Sequence, residues 1–380
     1  MCCKSKNSPK DSSLHYINLS ENLPQKEISF QSIAELEYIP LETTPDLLLA
    51  GDARVQYVSD EYILVSNRST GDVQLFGRNG KLKYQFNRKG KGGEEYNFIH
   101  SVTYDEKNSE LFIFDRSSQK ILVYQSDGVY KRTLSCPELR LNIFNFDEEL
   151  LFAYDDYMVP SPDKKYSKRP YVFLSKKDGK VISDLDITFD ERYSNIIIKN
   201  VVDNEGKPAL MPLTVTVPAT NFSDGQNFII SDFSSDTIYQ LNRKKELVPF
   251  LVRTPSIHEN GRIKHLLSML LKTKNFVYLR TTEIDLDISD SRAKVPLTDI
   301  FYDLNDNNMF VASWVNNDIT SIKNWNFQAA ETSENIGVCF IEAYVLLEAS
   351  KAGILKGKLQ QVASELNEED NPVVMIAKFK

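Results

Sequence analysis

The residues best suited to chemistry recur where polar turns interrupt runs of branched and aromatic side chains. Asn67-Arg68 ends one run, Asp115-Arg116 ends another, and Asp155-Asp156, Asp232 and Arg280 hold comparable positions farther along. Between the first two pairs lie Arg88-Lys89 and Glu94-Glu95-Tyr96, and His100 opens the next run. A guanidinium offers a planar fork of donors that fits a carboxylate, and acids and aromatic rings nearby complete a surface for a polar or anionic ligand such as a glycan, a sugar acid or a peptide terminus. Arg68, Arg88, Glu95, His100, Asp115, Arg116, Asp232 and Arg280 are therefore the candidate ligand-binding residues. The same residue types also cap their own turns and pair with neighbouring acids, which is a purely structural use.

Other constellations carry less. His15, His258 and His265 form no HxH or HExxH pattern with His100, so no zinc site is indicated. Asp303, Asn305 and Asn307 imitate the start of a calcium loop, but Asn308 stands where glycine is needed and Trp314 where glutamate is needed, so a hairpin turn is expected. Asp285, Asp287 and Asp290 read as a solvated loop. The glycines of GKGG at 90–93 precede a strand-like run rather than a helix and lack a Walker lysine, so they read as a linker. No GxSxG occurs, and no catalytic residue or metal ligand is assigned. Cys136 and Cys339 are far apart and read as ordinary buried thiols.

These residues need strands to position them. YILVSNRSTGDVQLFGRNGKLKYQF at 62–86 aligns with LFIFDRSSQKILVYQSDGVYKRTL at 111–134 on a shift of 48 residues, placing Asn67 on Asp115, Arg68 on Arg116 and Gly80 on Gly128. Apolar runs separated by polar and Asn-Gly or Asp-Gly turns are the mark of consecutive hairpins. Further copies follow at 150–187, 227–252 and, less regularly, 276–313, and a sixth ends in VVMIAKFK. A period of this length with four strands per unit predicts an all-β fold: a six-bladed β-propeller of four-stranded antiparallel blades. The sixth copy lacks a strand, which ELEYIPLET at 35–43 is placed to supply, closing the ring and removing its edges. AYVLLEASKAGILKGKLQQVASEL has helical spacing and predicts one helix inserted in the last blade.

The start, Met1-Cys2-Cys3 and then a polar stretch, reads as a tether over 1–18, leaving 19–380 as a single domain. It looks like the remainder of a bacterial lipoprotein whose signal peptide is absent from this chain, with Cys2 or Cys3 the acylated residue. The linker RKGKGGEEYNFI at 88–99 resembles the G-x-G-P-G-E-[FY] element of NHL-type repeats, with Gly93 in place of proline. Together with the early IPLET and the late EEDNPVVMIAKFK, it makes the chain similar to six-bladed propeller lipoproteins of gut Bacteroidetes. That resemblance implies a lipid-anchored protein of the cell envelope, periplasmic or surface-exposed, with a binding role.

Strand reversal puts the B–C and D–A connections on one face and the A–B and C–D turns on the other, so the candidate residues share a face. The net charge of -8 supplies no basic surface for a nucleic-acid backbone, and no apolar run reaches membrane-spanning length. The expected function is non-catalytic: a binding or scaffold module for a glycan, sugar acid, peptide or envelope protein, touching the membrane only through its anchor. The alternative is a metal-dependent lactonase, hydrolase or lyase like the gluconolactonase and strictosidine-synthase-like propellers. Inner-strand stretches VTY, NIF and TVT are poor in ligands, so no cofactor is expected beyond the option of a divalent cation such as calcium.

Overall fold

The computed structural model describes residues 14–136, 141–155, 169–193, 196–202, 206–214, 221–259, 265–283, 296–322, 325, 327, 331–332 and 336–380. Cys2, Cys3, Asp156, Asp285, Asp287 and Asp290 lie outside the described residues. The chain begins with β1 (His15–Asn18), β2 (Gln25–Ser29), one helical turn α1 (Phe30–Ile33) and β3 (Ala34–Pro40). Blade 1 follows as β4 (Ala53–Val58), β5 (Tyr62–Asn67), β6 (Asp72–Gly77) and β7 (Leu82–Asn87). Blade 2 is β8 (Ile99–Asp105), β9 (Glu110–Asp115), β10 (Lys120–Gln125) and β11 (Tyr130–Ser135). Blade 3 is β12 (Leu141–Asn145), β13 (Leu150–Asp155), β14 (Tyr171–Ser175) and β15 (Val181–Asp184), and a separate hairpin comes next, β16 (Ile196–Val202) with β17 (Pro208–Thr214). Blade 4 is β18 (Asn221–Ser223), β19 (Asn227–Ile230), β20 (Thr237–Asn242) and β21 (Leu247–Thr254). Blade 5 is β22 (His265–Lys272), β23 (Phe276–Glu283), β24 (Thr298–Asp303) and β25 (Met309–Val315). The last stretch holds β26 (Glu331–Thr332), β27 (Ile336–Ile341), α2 (Ala343–Lys351), α3 (Gly357–Ala363) and β28 (Val373–Phe379).

The result is the six-bladed propeller, and its burial pattern explains the sequence. A middle strand has another blade against each of its faces, so β9 (ELFIFD) is buried along its whole length, whereas outer strand β11 (YKRTLS) is half exposed and polar. The buried apolar residues form six clusters, each filling the space between neighbouring blades. Blade 6 is built from both ends of the chain: β28 lies between β27 and β3 and pairs antiparallel with each. The expected closing strand at 35–43 is thus in place, as β3.

The segment ahead of β3 does more. β1 adds in parallel to the outer edge of blade 4, and β2 adds in parallel to the outer edge of blade 5. The N-terminal residues therefore run around the ring and cover three outer edges in succession, which would otherwise present unpaired backbone groups. The last residues of the stretch expected as a tether, 15–18, instead form a strand with Ile17 buried, while 1–13 lie outside the described residues. Two further points concern the middle and end of the chain. Of the TVT stretch, Thr214 ends β17 and the next two residues lie outside the described residues, while the inner strand of blade 4 is β18. The single helix expected near the end is two, because Gly353 takes a left-handed φ of 69° and ends α2 in a Schellman pair, Ile354 N–H to Ala349 O and Gly353 N–H to Ser350 O.

The two faces differ in elaboration. The A–B and C–D turns span three to five residues, for example 59–61 and 176–180. The long connections, 156–170, 185–220, 284–297 and 342–372, all leave from the B–C and D–A side, termed here the loop face.

Candidate functional site

On the loop face, blades 1 and 2 are tied together by the predicted residues. Arg68 donates from Nη2 to the His100 carbonyl at 2.6 Å, crossing from the B–C loop of blade 1 to the inner strand of blade 2. His100 is buried, with its ring edge-on to Phe114. Asp115 is wholly buried and accepts the Asn97 and Ser117 N–H groups, both at 2.9 Å, and the Ser118 hydroxyl at 2.8 Å. Arg116 is partly buried beside it, and its carbonyl accepts Gln119 Nε2. Arg88 sits farther out and donates to the Gly128 carbonyl, while Glu95 accepts the Gly92 N–H and closes its own linker. Tyr96 is the anchor of that linker: it is fully buried and donates to the Gly71 carbonyl at 2.6 Å.

Blades 3 and 4 hold a second centre, of which only Asp155 and Asp232 are legible in the repeat. Arg192, from the connection between these blades, is enclosed between them. Its Nη2 lies 3.3 Å from Asp232 Oδ2, 3.0 Å from the Tyr154 hydroxyl and 2.9 Å from the Asp155 carbonyl. Tyr154 in turn donates to Asp232 at 2.8 Å. Burial alone would make the guanidinium easier to deprotonate, but Tyr154, Asp232 and Asp155 outweigh it and hold the pKa above the ordinary arginine value. In blade 5, Arg280 lies within β23 rather than in a loop and makes a two-pronged ion pair with Asp299, Nε to Oδ1 at 2.6 Å and Nη2 to Oδ2 at 2.9 Å. The predicted residues are therefore spread over two blade junctions and the interior of blade 5, and do not converge on a single point.

A third centre lies in the channel and was missed from sequence. β26 runs parallel to the inner strand of blade 1, and Glu331 reaches past it to the next two blades. Its carboxyl accepts the Thr103 hydroxyl at 2.6 Å and the Asn145 N–H at 3.0 Å, and Thr103 also accepts that N–H at 3.0 Å. Burial pushes its pKa up to about 7, against the two hydrogen bonds and the nearby charges of Arg243 and Lys176. Arg243 covers the Phe228 ring at 4.8 Å, and Lys176 is paired with Asp105 at 2.6 Å in a fully enclosed contact. A carboxyl that titrates near neutrality can hold or release a proton there. Among the described residues, no three His, Cys, Asp or Glu side chains are arranged to hold a metal ion. Asp303 and its neighbours form the expected hairpin turn, with Asp303 accepting the Asn305 N–H.

Fold and face together define a six-bladed propeller with one plain face of tight turns and one elaborated face on which Arg68, Arg192 and Asp232 are locked into blade junctions. The chain belongs to the family described as Domain of unknown function (DUF4934), which matches residues 14–378. It is similar to the crystal structure of a Bacteroides fragilis protein assigned as exported, at 14% identity and a TM-score of 0.68, over 97% of this chain and 100% of that one. A DUF4221 member from Bacteroides vulgatus follows at 11% identity and a TM-score of 0.49, over 92% and 97%. Virginiamycin B lyase from Staphylococcus aureus has 11% identity and a TM-score of 0.40, over 90% and 99%. At these identities the likeness is one of fold. No curated protein matches the sequence. Among the described residues, no helix is long and apolar enough to cross a membrane.

Proposed function

We propose that the chain is an exported binding module of the bacterial cell envelope, held by an acylated cysteine at its start, that takes a glycan, sugar acid, peptide or partner protein on the loop face. The observation that carries this reading is the asymmetry of the connections: every long one leaves from the face where Arg68, Arg192 and Asp232 brace the blade junctions and Asp115 holds the linker into blade 2. Long loops on a rigid scaffold are where binding surfaces are built. The Bacteroides fragilis neighbour, described as exported, agrees with an envelope location. The NHL-like linker fits the same reading, since Tyr96 anchors it between two blades.

The test is thermal unfolding against oligosaccharides, sugar acids, short peptides and divalent metals. A ligand that prefers the folded state raises stability by about 2.7 kcal/mol at one hundred times its Kd. The expected result is a shift with a glycan, sugar acid or peptide that is lost in Arg116→Ala but kept in Lys107→Ala on the opposite face, where Lys107 pairs with Glu148 in solvent. A shift with a metal that EDTA reverses would instead favour the metal-dependent hydrolase or lyase, with Glu331 the first residue to examine.

A further inference from the structure

The hairpin β16–β17 is the one sheet among the described residues that stands outside the blades. Its strands pair over seven positions, from Ile196 opposite Thr214 to Val202 opposite Pro208, and no other described strand joins them. Two strands alone are marginal in water. Their sequences, IIIKNVV and PALMPLT, are apolar at both parities, so neither face of the hairpin is made for solvent.

The two edges are not equivalent. Pro208 and Pro212 are four residues apart and so share one edge of β17, and because proline has no N–H they can lie only on the edge turned away from β16. The outer edge of β17 is thereby closed to a further strand. β16 has no proline. Ile196, Ile198, Asn200 and Val202, which stand opposite Thr214, Pro212, Leu210 and Pro208, share the register that faces outward, and among the described residues no strand pairs with that edge. The protein completes other outer edges by adding extended strands, β1 on blade 4 and β2 on blade 5. A bilayer is a poor occupant, because the residues joining the strands, Asp203-Asn204-Glu205-Gly206-Lys207, carry charge where an inserting tip must be apolar.

We propose that the outward edge of β16 binds an extended polypeptide segment rich in branched apolar residues, which adds to the hairpin as a third strand. This rests on the loop face being the ligand face and narrows the ligand to peptide. Backbone hydrogen bonds would supply affinity, and alternate side chains the selectivity.

The experiment uses the full chain and fluorescein-labelled nine-residue peptides in which Val or Ile alternates with Thr or Lys, followed by fluorescence polarisation. The expected result is saturable binding that weakens at least tenfold in Ile198→Pro, which removes an outward N–H opposite Pro212 and leaves the ladder to β17 intact. Methylating alternate amides of the peptide should abolish binding. Unchanged thermal unfolding of Ile198→Pro confirms that the fold is kept, and Asn200→Pro, on the same edge, provides a second variant should the first fail to fold. Binding insensitive to both proline and methylation overturns the proposal, as does saturable binding to anionic phospholipid vesicles without peptide binding, or a dimer that Ile198→Pro dissociates. If no peptide binds but a glycan or sugar acid still raises the unfolding temperature, this inference fails alone. If nothing shifts it, the loop-face reading fails with it.

Discussion

Single residues on the loop face illustrate how a repeat exposes some of a site and hides the rest. Arg68 and Asp115 were found because a shift of 48 residues lays one blade on the next, and position in a repeat is a sequence property. Arg192 and Glu331 were not, since their partners sit 40 and 228 residues away, for Asp232 and Thr103, and nothing local marks the meeting. Glu331 offers the sharper test. Its pKa rises from 4.5 unfolded to about 7 folded, so the folded chain binds a proton more tightly, and the stability this confers is complete below about pH 4.5 and lost as pH climbs through 7. At 1.36 kcal/mol for each pKa step, the loss is about 3 kcal/mol at most. Glu331→Gln keeps the shape and cannot ionise. Urea unfolding at pH 5 and pH 8 should therefore show wild type losing more stability than the variant as pH rises. Parallel losses in the two proteins would mean that Glu331 is not the titrating group.

At the scale of elements, the Asn-Gly and Asp-Gly turns do two jobs. The sequence indicates the first, a left-handed residue in a tight hairpin, and the structure shows φ of 76° at Gly80 and 79° at Gly179. The second is docking between blades: a Cβ on Gly80 would stand 2.0 Å from the Pro40 carbonyl, and one on Gly179 would stand 1.8 Å from the Ser135 carbonyl. Each turn thus receives the end of the preceding blade's outer strand, a contact invisible in sequence because it joins one repeat to another. Gly353 separates the two effects, since it has a φ of 69° with nothing within 4 Å. Gly353→Ala should cost about 1 kcal/mol, the strain of a left-handed residue. Gly179→Ala adds a collision with backbone and should cost about 3 kcal/mol or more. Equal losses in denaturant unfolding would refute the docking role. The same logic explains the misjudged helix: 3.6-residue spacing continues across 352–356, and the break is made by two left-handed glycines, Gly353 ending α2 and Gly357 opening α3.

For the whole molecule, the number of blades was legible because each must bury both faces against its neighbours, which forces the same apolar rhythm on every copy. The N-terminal belt was not, because a strand added in parallel to an outer edge needs no turn beside it and leaves only a short run such as HYIN or QKEIS. Closure of the ring concentrates in β28, whose alternate residues serve two junctions. Val373, Met375, Ala377 and Phe379 enter the cluster shared with blade 5, and Val374 and Ile376 enter the one shared with blade 1. Burying six such side chains stabilises by roughly 10–15 kcal/mol, as large as the net stability of a typical domain. A chain ending at Pro372 should therefore lose its cooperative transition altogether, rather than unfold a few degrees early. Its circular dichroism should decline without a sigmoid, it should bind a hydrophobic dye, and a peptide of residues 373–380 supplied in trans should restore the transition. The restoration is the decisive arm, because it requires the gap between β27 and β3 to survive as a strand-shaped slot. A sharp transition in the shortened chain, near that of the full chain, would show that five blades and the belt hold the ring without its last strand.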